Sequence, residues 1–323
     1  MKRREFIMLI GGTAAGWPLV ARAQRAMPIR RIGILLYAKG EQENISPMLR
    51  GLEVLGYVDG RNVAIEYRDA DGKAERLPEA AEELVRLKPD VIFSFGGELA
   101  PAVKQATATI PIVVVVSNDP VESGLVASLG RPGGNITGVT WVYDQLAGKS
   151  VELLKETLPS ISRVAVLWNP AHTDPEYRET QRAARMLDVQ LESLEVRQPG
   201  DFDGAFQAVE RGRPEALIVF GSQLMLLNRQ RIGEFAAKNR IVMVGVPRWL
   251  TQIGGLLSYG PNVPELTRWA STYVDKILKG ARPADLPMQQ PTRFDLTVNV
   301  KRAKELDITV PPTIIARADN VIE

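Results

Sequence analysis

Two series of short β-branched runs, each alternating with amphipathic stretches, restrict this chain to very few architectures. Ile112 to Val116 reads Ile-Val-Val-Val-Val, a strand without a polar face. Arg31 to Tyr37, Val63 to Tyr67 and Val91 to Phe95 are further strands of the first series. Helical spacing over Ile45–Leu55, Leu77–Leu87 and Ala100–Thr107 separates them. After a loop-rich stretch ending in Arg131-Pro132-Gly133-Gly134-Asn135 the alternation restarts. Strands at Val164–Trp168, Leu191–Val196, Ala216–Phe220 and Ile241–Val246 now alternate with helices at Pro175–Leu187, Phe202–Arg211 and Arg229–Lys238. Strands apolar on both faces need helices above and below them, as parallel sheets have. The reading is α/β: two doubly wound parallel-sheet lobes of about four strands each, a size typical of sheets.

The last third departs from the series. Gly254–Tyr259 is a strand, Val263–Leu278 the longest helix, Phe294–Val300 a strand and Lys301–Leu306 a short helix. Such a tail returns to the first lobe and crosses again, giving a multi-strand hinge. The expected division is 28–140 plus about 254–290 for lobe one, and 141–253 plus about 291–323 for lobe two.

Met1 to Ala23 reads as an export leader, with Lys2, Arg3 and Arg4 ahead of a weakly apolar stretch and Ala21-Arg22-Ala23 as the cleavage site. Arg3-Arg4-Glu5-Phe6-Ile7 resembles the twin-arginine motif. The expected location is the periplasm, with a mature start at Gln24. The leader holds four basic residues and one acidic, so its removal turns a formal charge of +2 into −1. A nearly neutral chain has no electrostatic basis for binding nucleic acid. Zero cysteines exclude disulfides, thiol nucleophiles and iron–sulfur clusters, and a single histidine, His172, excludes a two-histidine metal site. No phosphate loop, dinucleotide fingerprint or G-x-S-x-G elbow occurs. No cofactor, no metal and no catalytic residue are expected.

Several longer motifs resemble one family. They are Gly56-Tyr57-Val58-Asp59-Gly60-Arg61-Asn62-Val63, the run from Asp119-Pro120-Val121 through Arg131-Pro132-Gly133-Gly134-Asn135-Ile136-Thr137-Gly138-Val139, Gly254 to Gly260, Lys279 to Pro287, and Ala316-Arg317-Ala318-Asp319. In these the chain is similar to the ABC-transporter substrate-binding proteins that include tryptophan- and tyrosine-binding members. The resemblance spans the mature chain. It implies a type I periplasmic-binding-protein fold with three crossovers, a ligand in the cleft, and an ABC permease in the inner membrane as partner. A ligand-sensing receptor component and, further off, a secreted hydrolase using a serine and His172 are the competing readings.

In open α/β sheets ligands sit beyond the C-terminal strand ends. The candidates there are Tyr37, Gly96 and Gly97, Ser117, Asp119, Trp168 and Asn169, Ser222 and Pro247, with Trp141 and Tyr143 at the first crossing. The Gly96-Gly97 amides suit a carboxylate, or the pair simply makes a tight turn. Asp119 before Pro120 is a ligand group or a helix cap. Rings at 141, 143 and 168 suit an aromatic ligand, or pack the hinge. His172 reads as a loop or cap residue. Many relatives carry Asp-Pro where this chain has Ser222-Gln223, which weakens the case for a ligand ammonium and keeps aromatic or carboxylate-bearing ligands open.

Overall fold

The structure is a computed structural model in which residues 29–141, 144–172 and 176–323 are described. The leader and Tyr143 lie outside the described residues. Lobe one begins with β1 (Arg30–Leu36), α1 (Gln42–Val54), β2 (Val63–Asp69), α2 (Leu77–Arg86) and β3 (Val91–Phe95). It continues with α3 (Leu99–Ala106), β4 (Ile112–Val116) and β5 (Ile136–Thr140). These strands form one all-parallel sheet in the order β2-β1-β3-β4-β5. The purely apolar β4 shows why. Val113 and Val115 enter the core under α1, while Ile112, Val114 and Val116 enter the core under α2 and α3. A strand with alternate residues in two separate cores has no wet side to keep polar.

Lobe two follows with α4 (Asp144–Thr157), β6 (Arg163–Trp168), α5 (Glu176–Met186), β7 (Gln190–Glu195), α6 (Asp201–Gly212) and β8 (Ala216–Val219). Then come α7 (Gln223–Leu227), α8 (Arg229–Lys238), β9 (Val242–Gly245), α9 (Trp249–Gln252) and β10 (Leu257–Gly260). Here β8 divides likewise: Ala216 and Ile218 face the core with α4, and Leu217 and Val219 the core with α6 and α8.

The chain then returns. α10 (Val263–Leu278) starts at Asn262, whose side-chain oxygen accepts the Glu265 N–H at 3.2 Å. Its apolar face, Leu266, Ala270, Tyr273, Val274 and Ile277, packs with α1 into the lobe-one core. Burial of each large side chain there contributes roughly 1.5–3 kcal/mol. Met288 and Gln289 then run beside β5, with Gln289 N–H on the Gly138 carbonyl at 3.0 Å and Thr140 N–H on the Gln289 carbonyl at 2.9 Å. The chain crosses once more to β11 (Asp295–Asn299), α11 (Val300–Glu305), α12 (Pro312–Arg317) and β12 (Asn320–Ile322). The second sheet has seven strands in the order β12-β11-β10-β9-β8-β6-β7, with β11 antiparallel to β10.

The α/β class, with two sheets joined by three chain segments, is as expected from sequence. The strand counts are larger than the expected four. β5 sits where no strand is expected, and β10 hydrogen-bonds β9 and β11 in the second sheet rather than joining a lobe-one segment that begins at 254. Among the described residues no helix is long and apolar enough to cross a membrane.

Candidate functional site in the interlobe cleft

Both sheets present the C-terminal ends of parallel strands to a shared cavity of about 350 Å³. That is the small end of the roughly 300–1,000 Å³ range of ligand sites. Lobe one supplies Phe95, Gly96, Gly97 and Glu98 from the end of β3, Ser117 after β4 and Trp141 after β5. The starts of α1 and α10 add Glu43, Asn44 and Pro264. Lobe two supplies His172 after β6, Ser222 and Gln223 after β8, and Pro247, Arg248 and Trp249 after β9. Arg229 at the start of α8 completes that wall.

The lobes touch through polar contacts at the cavity floor. The Gln223 N–H donates to Glu98 Oε1 at 3.1 Å, and Gln223 Nε2 donates to the Phe95 carbonyl at 3.0 Å. His172 lies between the lobes, with Nε2 2.9 Å from Ser117 Oγ and Nδ1 3.3 Å from Glu98 Oε1. Burial works to raise the Glu98 carboxyl, but the His172 charge and hydrogen bond and the backbone N–H of Gln223 outweigh it and hold it below the usual carboxylate range. An ionised Glu98 beside His172 therefore ties the lobes together in a closed arrangement.

Closure also accounts for the two glycines. A Cβ on Gly96 would stand 2.7 Å from Gln223 Nε2, and one on Gly97 2.8 Å from His172 Cε1. Gly96 moreover has φ +116°, and its N–H is spent on the Val115 carbonyl at 2.9 Å. Its amide is thus not free for a ligand, and the absent side chains make room for the other lobe.

Of the residues expected at the site, Gly96, Gly97, Ser117, Trp141, Ser222 and Pro247 line the cavity. Four do not. The Tyr37 ring is buried in the core beneath α2 and α3, where burial, aided by Glu98, Glu75 and Glu41, pushes its hydroxyl up to about 12. Asp119 caps a turn, accepting the N–H groups of Val121 at 2.7 Å and Glu122 at 3.2 Å. The Trp168 ring stacks on Tyr177 at 4.6 Å between centroids, and its indole N–H donates to Ser193 Oγ at 2.9 Å. Asn169 folds back on its own turn, with Oδ1 accepting the Ala171 N–H at 3.0 Å. Trp168 and Asn169 line an adjoining void of about 10 Å³, room for about one water.

His172 lies in a loop, as expected, but at 5% exposed it is buried there and bridges the lobes. Trp249, which stands two residues after Pro247 as a further candidate ring, also lines the cavity, and Glu98, Gln223 and Phe95 join it there. Glu98 directly follows the Gly96-Gly97 pair, and Gln223 directly follows Ser222.

Two α/β lobes enclosing a cavity at their facing strand ends define a two-lobed ligand receptor of the type I periplasmic-binding-protein architecture. A family model described as ABC transporter substrate binding protein matches residues 32–322, and the chain belongs to that family. It is a binding protein and not an enzyme. It is similar to a tyrosine-binding protein of Clostridioides difficile, 25% identical over 263 residues, which cover 80% of this chain and 75% of the relative. Among solved structures, a conserved domain protein of Vibrio cholerae is 26% identical with a TM-score of 0.84, over 91% of this chain and 99% of that one. An ABC domain from Streptococcus pneumonia in complex with L-Trp is 23% identical with a TM-score of 0.83, over the same shares, and shares the fold.

Proposed function

We propose that the protein is the exported receptor of an ABC importer, capturing a small aromatic ligand between its lobes and delivering it to the permease in the inner membrane. The carrying observation is that Phe95, Trp141 and Trp249 converge on a cavity closed by contacts of Gln223 and His172 with lobe one. Phe95 and Trp141 already contact each other with centroids 6.2 Å apart, so a flat ligand extends an existing aromatic wall. The tyrosine-binding relative and the L-Trp complex of the pneumococcal structure support an aromatic ligand. Gly97, Ser117 and Ser222 are the polar handles, and Pro247 adds apolar wall. Ser222 Oγ accepts the Met225 N–H at 3.2 Å as cap of α7, which leaves its own proton for a ligand oxygen.

In this reading the ligand bridges lobes that otherwise separate about the three crossings, and the Glu98–His172 contact forms as they close. The leader carries the chain to the periplasm by the twin-arginine route. A thermal-shift series with tyrosine, tryptophan and their desamino acids tests the reading. Ligand at 100 times Kd stabilises the folded state by about 2.7 kcal/mol. A melting temperature unmoved by every member at millimolar concentration contradicts it.

A further inference from the structure

We infer that the cleft selects an aromatic carboxylate over the α-amino acid bearing the same ring. The inference rests on the aromatic-ligand reading and deepens it. An α-ammonium taken from water into a closed cleft needs a carboxylate or a set of carbonyls to replace its hydration. Two acidic residues line the cavity, Glu98 and Glu43. Glu98 is engaged through one oxygen. Its Oε1 receives the Gln223 N–H and faces His172, and its Oε2 is buried from solvent without a hydrogen-bond partner among the described residues. A ligand cation reaches it only by undoing the contacts that close the lobes. Glu43 stands on the exposed first turn of α1, at the mouth rather than the floor.

The opposite wall has the other sign. Every ionisable residue that lobe two brings to the cavity is cationic or can become so: His172, Arg229 and Arg248. Arg229 gives one N–H to the Leu226 carbonyl at 3.0 Å and keeps the rest of its fork. Arg248, exposed like Glu43, has no ion pair or side-chain hydrogen bond among the described residues, and it adjoins Trp249 on the cavity wall, while Arg229 is half-buried. A guanidinium beside an indole suits a ligand with a carboxylate at one end and a ring at the other. With Glu98 Oε1 engaged across the lobes and no ion pair on Arg229 or Arg248 among the described residues, the cleft is charge-matched to a carboxylate, while an ammonium finds no exposed carboxylate oxygen on its floor.

Calorimetric titration of matched pairs tests this in the wild-type protein: indole-3-propionate against L-tryptophan, and 3-(4-hydroxyphenyl)propionate against L-tyrosine. In whichever pair binds, the desamino acid is expected to bind at least as tightly, and Arg248→Ala to weaken it at least tenfold. Tighter binding of the amino acid overturns the inference and leaves the aromatic reading standing. Loss of that preference in Glu43→Gln would then assign the ammonium to the rim carboxylate. Affinity for the desamino acid unchanged in Arg248→Ala also overturns it. Binding of none of the four overturns the aromatic reading and this inference with it.

Discussion

His172 Nδ1 lies 3.3 Å from Glu98 Oε1, an imidazole of lobe two set against a carboxylate of lobe one. The contact exists only while the lobes are closed, so its free energy adds to that of ligand binding. Close charge pairs across an interface couple by about 1.5 kcal/mol or more, roughly tenfold in affinity. His172→Ala and Glu98→Gln are each expected to weaken an aromatic ligand such as indole-3-propionate about tenfold in calorimetry, with melting of the unliganded protein little changed. Because the Glu98 carboxyl is held below its usual range, its contribution is complete above that range and lost as pH falls through the lowered value. Affinity should therefore drop only on acidification to below the usual carboxylate range, and the drop should be absent in Glu98→Gln. Wild-type affinity in both variants would rule out a closing role for the pair.

Gly97→Ala should act on closure rather than on folding. Its Cβ would meet His172 across the lobe boundary at 2.8 Å, a collision that opening relieves. Ligand affinity is expected to fall at least tenfold, and small-angle scattering should show no compaction when indole-3-propionate is added. Compaction equal to wild type would mean that the second lobe yields locally.

Glu41 makes stability fall toward neutral pH. Burial pushes its carboxyl up to about 7, against the opposing hydrogen bonds from the Ala38 and Tyr37 N–H groups. The folded protein thus holds this proton more tightly than the unfolded chain, so stability is greatest below the unfolded value and declines as pH rises to about 7. Glu41→Gln keeps an acceptor for both amides. It should be more stable than wild type by roughly 1–3 kcal/mol at pH 8, with the difference vanishing near pH 5. A constant difference across that range in denaturant unfolding would show that Glu41 ionises normally.

Ser117, His172 and Glu98 follow one another in the order of a hydrolytic triad. In a binding protein their work is to join the lobes, and Ser117 is only 4% exposed in the closed state. No Ser117-dependent turnover of p-nitrophenyl acetate is expected. A rate above background that disappears in Ser117→Ala would contradict the binding-only account.

What could be read from the sequence follows from how local each signal is. Val91–Phe95, Ile112–Val116, Arg229–Lys238 and Val263–Leu278 are legible to the residue, because a β-branched run or a helical stripe lies within the segment itself. β5, with Thr137, Gly138 and Thr140, has no such run, and α7 and α9 are too short to show a period. The lobe to which Leu257–Gly260 belongs depends on pairing with β9 and β11, which no local pattern contains. At the site, glycines and an aromatic at strand ends are legible from topology. Trp168 also stands at a strand end, but its ring turns outward to Tyr177. The role of His172 depends on Ser117, 55 residues away, and on Glu98, while its own neighbourhood reads as a turn. Several of the longer motifs shape turns: Asn62 bonds the Val58 N–H and the Gly56 carbonyl, and Asn135 the carbonyls of Thr107 and Ile110. They mark the family without marking the ligand.

The central claim is that an aromatic ligand is held in the interlobe cavity against Trp141. Calorimetric titration of wild type, Trp141→Ala and Trp269→Ala with indole-3-propionate and L-tryptophan tests it most directly. Trp141 lines the cavity, whereas Trp269 packs against the lobe-one core on α10. Truncating a buried aromatic anchor typically costs about 2 kcal/mol or more in binding. The expected result is at least a tenfold loss for Trp141→Ala with Trp269→Ala close to wild type; equal affinity in wild type and Trp141→Ala would contradict it.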